Sequence, residues 1–102
     1  MRTVPRVDHE RLTWDVRKAR ANLARHGITF VEAWSALGDP SIRTWPDTAH
    51  SDEEDRLIVL GLDLHGRLLF IVTQELSDGT IRLISARRAT KREEHAYTTG
   101  LL

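Results

Sequence analysis

The chain predicts an α+β fold: a helical hairpin, an antiparallel sheet of three or four strands, and a closing C-terminal helix. Three observations carry that prediction. Two Thr-x-x-Glu capping boxes, Thr29 to Glu32 and Thr90 to Glu93, mark helix starts early and late in the chain. Between them, the residues after Pro40 change to runs rich in Leu, Ile and Val. His65-Gly66 and Asp78-Gly79 separate those runs as hairpin turns would.

Each element has a local reason. Residues 1–12 mix charged and small groups with Pro5, which reads as a weakly ordered arm or a short edge strand. Asp15 is a good N-cap; Val16, Ala19 and Leu23 follow at helical spacing, and Gly27 is the stop. The second helix runs from the Thr29 box through Ala33, Trp34 and Leu37 to Gly38-Asp39-Pro40. Two short helices joined by so few residues should pack as a hairpin. Residues 41–45 suit a first strand closed by Pro46-Asp47, followed by strands over 55–62, 67–76 and 80–87. The strand centres are apolar on both faces, so the sheet should be covered on both sides. The last helix is expected from about Lys91 to Thr99, with Gly100 as its stop.

Composition bounds the class. The 102 residues suit one domain over 1–102, large enough to bury a core without staples. Having no cysteine, the chain has neither a disulfide framework nor a thiolate metal site. No apolar leader or bilayer-length run is present, so the expected location is the cytoplasm, away from membranes. The formal net charge of zero conceals segregation: basic segments over 2–25 and 82–94 flank an acidic one over 39–55. Such a body can carry a cationic groove and an anionic surface together, although three solvated faces would read the same way.

The chemistry concentrates in two places. Residues 85–94 end a strand and open a helix, placing Arg87, Arg88, Lys91 and Arg92 within six residues. Strict alternation puts Arg82, Ile84, Ala86 and Arg88 on one face and Ile81, Leu83, Ser85 and Arg87 on the other. Arginine forks beside a helix N-terminus suit a phosphate. The loop over 46–56 carries His50, Glu54 and Arg56, the parts for acid–base phosphoryl chemistry: a base, an acid and a charge clamp. Acidic loops before strands are more often simply solvated. His26 ends the first helix, where a histidine also serves the helix dipole alone. Tyr97 could stack on a base or merely pack. His50 with Asp47 and Asp52 matches no dedicated metal-ligand spacing, so no metal and no cofactor are expected.

Taken together these segments resemble the BrnT family, the toxin half of a bacterial type II toxin–antitoxin pair. The matching residues are Thr13-Trp14-Asp15, the run from Asn22 to Phe30, Glu32-Ala33, Gly38-Asp39-Pro40, Asp47, His50-Ser51, Glu54-Asp55-Arg56, Gly61, the run from Ile84 to Thr90, Glu93 and Tyr97. The resemblance implies a RelE-like fold and a metal-independent ribonuclease that stops translation by cutting RNA. It also implies a BrnA-type ribbon-helix-helix antitoxin, with operator DNA contacted only through the complex. Arg25 and Arg88 stand where the family usually has Lys, and Asp55 where it has Glu; charge is kept but fork geometry is not shared.

On that basis Arg87 and Arg56 are expected to hold the scissile phosphate. Glu54 would take the 2′-hydroxyl proton, and His50 or His26 would protonate the leaving oxygen. Lys18, Arg82, Arg88 and Lys91 would hold flanking phosphates, with Tyr97 beside them. Two other readings of the residues remain: a non-catalytic module whose basic face binds nucleic acid or an acidic partner, and a metal-dependent nuclease or phosphatase built on His50 and its neighbouring carboxylates.

Overall fold

A computed structural model of the chain describes residues 12–50 and 55–102, apart from the side chain of His50. The described residues form β1 (Leu12–Trp14), α1 (Val16–His26), α2 (Phe30–Leu37), β2 (Arg43–Pro46), β3 (Arg56–Leu62), β4 (Leu68–Glu75), β5 (Ile81–Arg88) and α3 (Lys91–Thr99). A short 3-10 turn at Thr48–His50 lies between β2 and β3. The strands make one five-stranded sheet in the order β1-β5-β4-β3-β2.

The sheet is mixed, which corrects the expected three or four antiparallel strands. Strands β2 to β5 are an antiparallel meander, but β1 adds parallel to β5 with Leu12, Thr13 and Trp14 opposite Ile81, Arg82 and Leu83. Three residues are too few for alternation to reveal a strand. The expected arm over 1–12 therefore ends in this edge strand at Leu12, and the rest of it lies outside the described residues.

Helix boundaries follow the chain's own capping chemistry. Asp15 accepts from the backbone N–H groups of Arg17 and Lys18, and Gly27 closes α1 in the left-handed region. Thr29 with Glu32, and Thr90 with Glu93, each form the complete reciprocal box. The helical hairpin is not the packing unit, however. Helix α1 packs on β5, and α2 packs on β3, β4 and β5, so each helix finds its main partner in the sheet. The core lies under α2: Ile28, Phe30, Ala33, Ala36 and Leu37 against Val59, Leu69, Ile71, Leu83 and Ala86.

Gly61 sets the closeness of that packing. A Cβ there would lie 2.4 Å from the carbonyl oxygen of Ala36, which is backbone and cannot swing away. Gly61→Ala is expected to destabilise the protein by about 1–3 kcal/mol, the usual cost of overpacking, measured by denaturant unfolding.

The opposite face carries α3. Arg43, Leu60, Phe70 and Arg87 stand opposite one another across β2, β3, β4 and β5, so they form one row on one face. Helix α3 is fixed at both ends of this row. At the β5 end Arg87 pairs with Glu93; at the β2 end Arg43 donates to the carbonyl oxygens of Tyr97 and Thr98. Tyr97 donates its hydroxyl to Asp39 at 2.6 Å, and Ala96 and Leu60 are fully buried between the clamps. The expectation of a sheet covered on both faces therefore holds for the α3 half of this face.

Candidate nucleic-acid interface

The strongest departure from simple alternation lies in β5. Val72 pairs with Ser85, but Thr73 pairs with Leu83, so Ile84 is an extra residue, a β-bulge. Strict alternation would separate Arg82 from Arg87. The bulge instead returns Leu83 and Ala86 to the core face and puts Arg82, Ser85 and Arg87 together on the other. Arg56 joins them, because Arg56 and Arg82 both stand opposite Gln74.

Beside α3 this face therefore has three levels. Arg87 lies at the α3 edge. Trp45, Ile58, Val72 and Ser85 form the next row, all half-buried. Arg56, Gln74 and Arg82 form the last, about 13 Å from Arg87 at the strand rise of β4. The result is a mostly apolar floor with guanidinium groups at both ends. Arg88 stands opposite Leu69 and so belongs to the other face, which corrects its grouping with Arg82 but agrees with its separation from Arg87.

Arg87 is held in a defined orientation. Its guanidinium lies 4.0 Å from the centroid of the Phe70 ring. Nη1 and Nη2 donate to Oε1 and Oε2 of Glu93 at 2.8 and 2.9 Å, and Nη1 also donates to the Arg88 carbonyl. This uses one edge of the fork. The edge formed by Nε–H and the second Nη2 hydrogen has no hydrogen bond among the described residues. A planar guanidinium gripped on one edge and one face presents the other edge ready for a phosphate oxygen pair.

The carboxylates around this frame titrate below their ordinary range. Burial works to raise Glu93, but hydrogen bonds from Arg87 and the Thr90 backbone outweigh it. Burial likewise opposes the hydrogen bonds that lower Asp39, from Tyr97, Leu62 and Ser41, and those that lower Asp63, chiefly from Arg67. Their charged forms are preferred more strongly folded than unfolded, so the stability they add is present above the unfolded carboxylate range. It is lost as pH falls through the lowered folded values. The melting temperature is expected to fall steeply below about pH 4, and a flat profile between pH 6 and pH 3 would contradict these clamps.

The other candidates take different places. The loop carrying His50 and Glu54 leaves and rejoins the sheet at the Arg56 end, where the Asp47 N–H donates to the Arg56 carbonyl at 3.0 Å. Asp55 re-enters with φ +59, a left-handed conformation that Asp tolerates. Glu54 itself and the His50 side chain lie outside the described residues. Lys18, Arg25 and His26 gather with Ser85 and Ile84 in an open cavity of about 640 Å³ at the edge of β5. Lys91 is exposed at the start of α3. Tyr97 sits a turn beyond Glu93 with its hydroxyl on Asp39, an anchor for α3. No group of three metal-ligating side chains occurs among the described residues. No described helix is long and apolar enough to cross a membrane.

Sequence reasoning missed Gln74 and Trp45, whose place depends on register, and the second partner of Glu93. It also missed Asn22, whose side chain pairs with both backbone groups of Ala86, the residue before Arg87.

Comparison with known families decides the relationship. Residues 14–93 match the family model described as the ribonuclease toxin BrnT of a type II toxin–antitoxin system. The chain belongs to the BrnT family. A crystal structure of the Brucella abortus ribonuclease toxin BrnT is similar in fold, with a TM-score of 0.61 and 23% identity. The match covers 78% of this chain and 96% of that one, and at such identity it speaks for the fold alone. None of the curated proteins compared with the chain matches it. The BrnT assignment thus covers β1 from Trp14 through the first turn of α3, and with it every described residue of the arginine face.

Proposed function

We propose that this BrnT-family chain is a metal-independent endoribonuclease toxin that cuts RNA on the arginine face beside α3. The observation that carries this reading is the bulge at Ile84, which brings Arg82, Arg87 and Arg56 to one face. Without a metal, cleavage uses the substrate's own 2′-oxygen. It attacks phosphorus, the bond to the 5′-oxygen breaks, and a 2′,3′-cyclic phosphate and a 5′-hydroxyl result. The protein supplies position, proton transfer and charge stabilisation.

In this scheme the open edge of Arg87 and the guanidinium of Arg56 take the charge that develops on the phosphate. Glu54, two residues before Arg56, accepts the 2′-hydroxyl proton. His50, on the same loop, gives a proton to the leaving oxygen; His26, at the β5 edge, is the other candidate for that role. Arg82 holds a flanking phosphate from the outer row, while Lys18 does so from the β5 edge and Arg88 and Lys91 from beyond Arg87. Trp45 on the floor offers the aromatic surface for a base that Tyr97, committed to Asp39, does not. The fold is RelE-like in this reading, RNA cutting stops translation, and the work is done in the cytoplasm. A BrnA-type ribbon-helix-helix antitoxin neutralises the toxin and brings the complex to operator DNA.

The test uses purified, antitoxin-free protein with a defined RNA and its all-deoxy counterpart in the presence of EDTA. RNA-only cutting that leaves cyclic phosphate and 5′-hydroxyl ends is expected. Cutting of DNA, or loss of activity in EDTA, would point to metal-dependent chemistry. No cutting by folded protein would leave a non-catalytic binding module acting within an operon-repressing complex.

A further inference from the structure

Helix α1 is turned differently from what its pattern suggests. Val16, Ala19 and Leu23 have the spacing of an inward stripe. Yet the residue α1 buries is Asn22, and Val16 and Leu23 are 60% and 47% exposed. Val31, at the start of α2, is 58% exposed beside them. These side chains line a groove of about 210 Å³ between α1 and α2, with Trp14 and Phe30 in edge-to-face contact, ring centroids 5.9 Å apart. The groove is lined on the α1 and α2 side of the sheet, away from the arginine face.

We propose that this groove docks an acidic amphipathic segment of the protein antitoxin. Three aliphatic side chains exposed together on two helices fit an apolar helix face. Their surroundings select its charge. Arg20 lines the groove, and exposed Arg17 adjoins Val16. The neighbouring carboxylates are already engaged: Asp15 caps α1, and Glu32 accepts from the Thr29 N–H and pairs with Arg67. A second copy would bring arginines against arginines. The chain's own first residues, with Arg2, Arg6 and Arg11 against Asp8 and Glu10, have the wrong sign as well. RNA would supply the negative charge but not an aliphatic face. The proposal rests on the toxin–antitoxin reading above and adds to it a docking surface distinct from the cutting site.

The experiment titrates the full chain with its cognate antitoxin and, separately, measures RNA cleavage by the free protein. Val31→Asp places a carboxylate where the α2 dipole favours it, so the fold is retained, but it opposes an acidic partner. Val31→Asp should weaken antitoxin binding by about 30-fold or more, as removal of a central apolar anchor does. Arg20→Glu should slow association and flatten its salt dependence. RNA cleavage should be unchanged in both variants. Wild-type affinity in both variants would overturn the groove while leaving the toxin–antitoxin reading in place. Loss of RNA cleavage with affinity intact would make the groove an RNA surface, and a wild-type dimer dissolved by both variants would make its occupant a second copy; either overturns the proposal. A wild-type chain that binds no antitoxin would overturn the partner reading and the groove with it.

Discussion

Arg87→Ala is expected to lower RNA cleavage by about 10²- to 10³-fold, the usual cost of removing one preorganised electrostatic donor. The reason is geometric rather than a matter of net charge. Glu93 occupies one edge of the guanidinium and Phe70 one face, which leaves the other edge aimed in a fixed direction. Arg87→Lys should therefore be nearly as damaging, because an ammonium is a point charge that cannot grip Glu93 and present a second donor pair together. Glu93→Gln should fall between, keeping the Arg87 charge while loosening its orientation. Cleavage rates on a defined RNA, with circular dichroism confirming the fold, measure all three. A folded Arg87→Ala protein with full activity would remove Arg87 from the site.

Asn22→Leu is expected to be strongly destabilising, although it changes a residue outside the apolar core. Asn22 is 6% exposed. Its Nδ2 donates to the carbonyl oxygens of Ile28 and Ala86 at 3.0 and 2.8 Å, and its Oδ1 accepts from the Ala86 N–H at 2.9 Å. It thereby completes the edge of β5 just beyond the point where β1, ending at Trp14, stops pairing. Leucine has a similar volume but leaves these buried backbone groups without their partner, at about 1–3 kcal/mol for each group left unsatisfied. A total of about 3 kcal/mol or more would lower the melting temperature by roughly 15 °C in a domain of this size. Because Ala86 adjoins Arg87, cleavage should fall with stability. A loss below about 1 kcal/mol in denaturant unfolding would show that water replaces the amide without cost.

The parts of the fold encoded locally were visible in the sequence. Asp15, Thr29 with Glu32, and Thr90 with Glu93 act within three residues of themselves, and each forms the cap its spacing predicts. The hairpins at His65-Gly66 and Asp78-Gly79 are equally local, with both glycines at positive φ. What the sequence hid depends on partners far along the chain. Strand β1 is too short to announce itself and is defined by β5, whose register differs by 69 residues at Leu12 and Ile81. The bulge at Ile84 changes which arginines share a face, yet Ile-Ser-Ala in a strand carries no mark of it. Asn22 looks like a surface position on α1 until β5 lies beside it. Of the arginine face, Arg56, Arg82 and Arg87 are legible in the sequence as cations, though not as neighbours. Gln74 and Trp45 are not, since only register places them beside those arginines.

If the proposed function is right, RNA lies on the arginine face beside α3. The most direct measurement follows backbone and side-chain NMR shifts as a non-cleavable all-deoxy oligonucleotide is added, at low and then raised salt. The largest changes are expected at Trp45, Arg56, Gln74, Arg82 and Arg87, diminishing as salt rises, with Val16, Leu23 and Val31 undisturbed. Shifts confined to α1 and α2, with the arginine face unmoved, would contradict that placement.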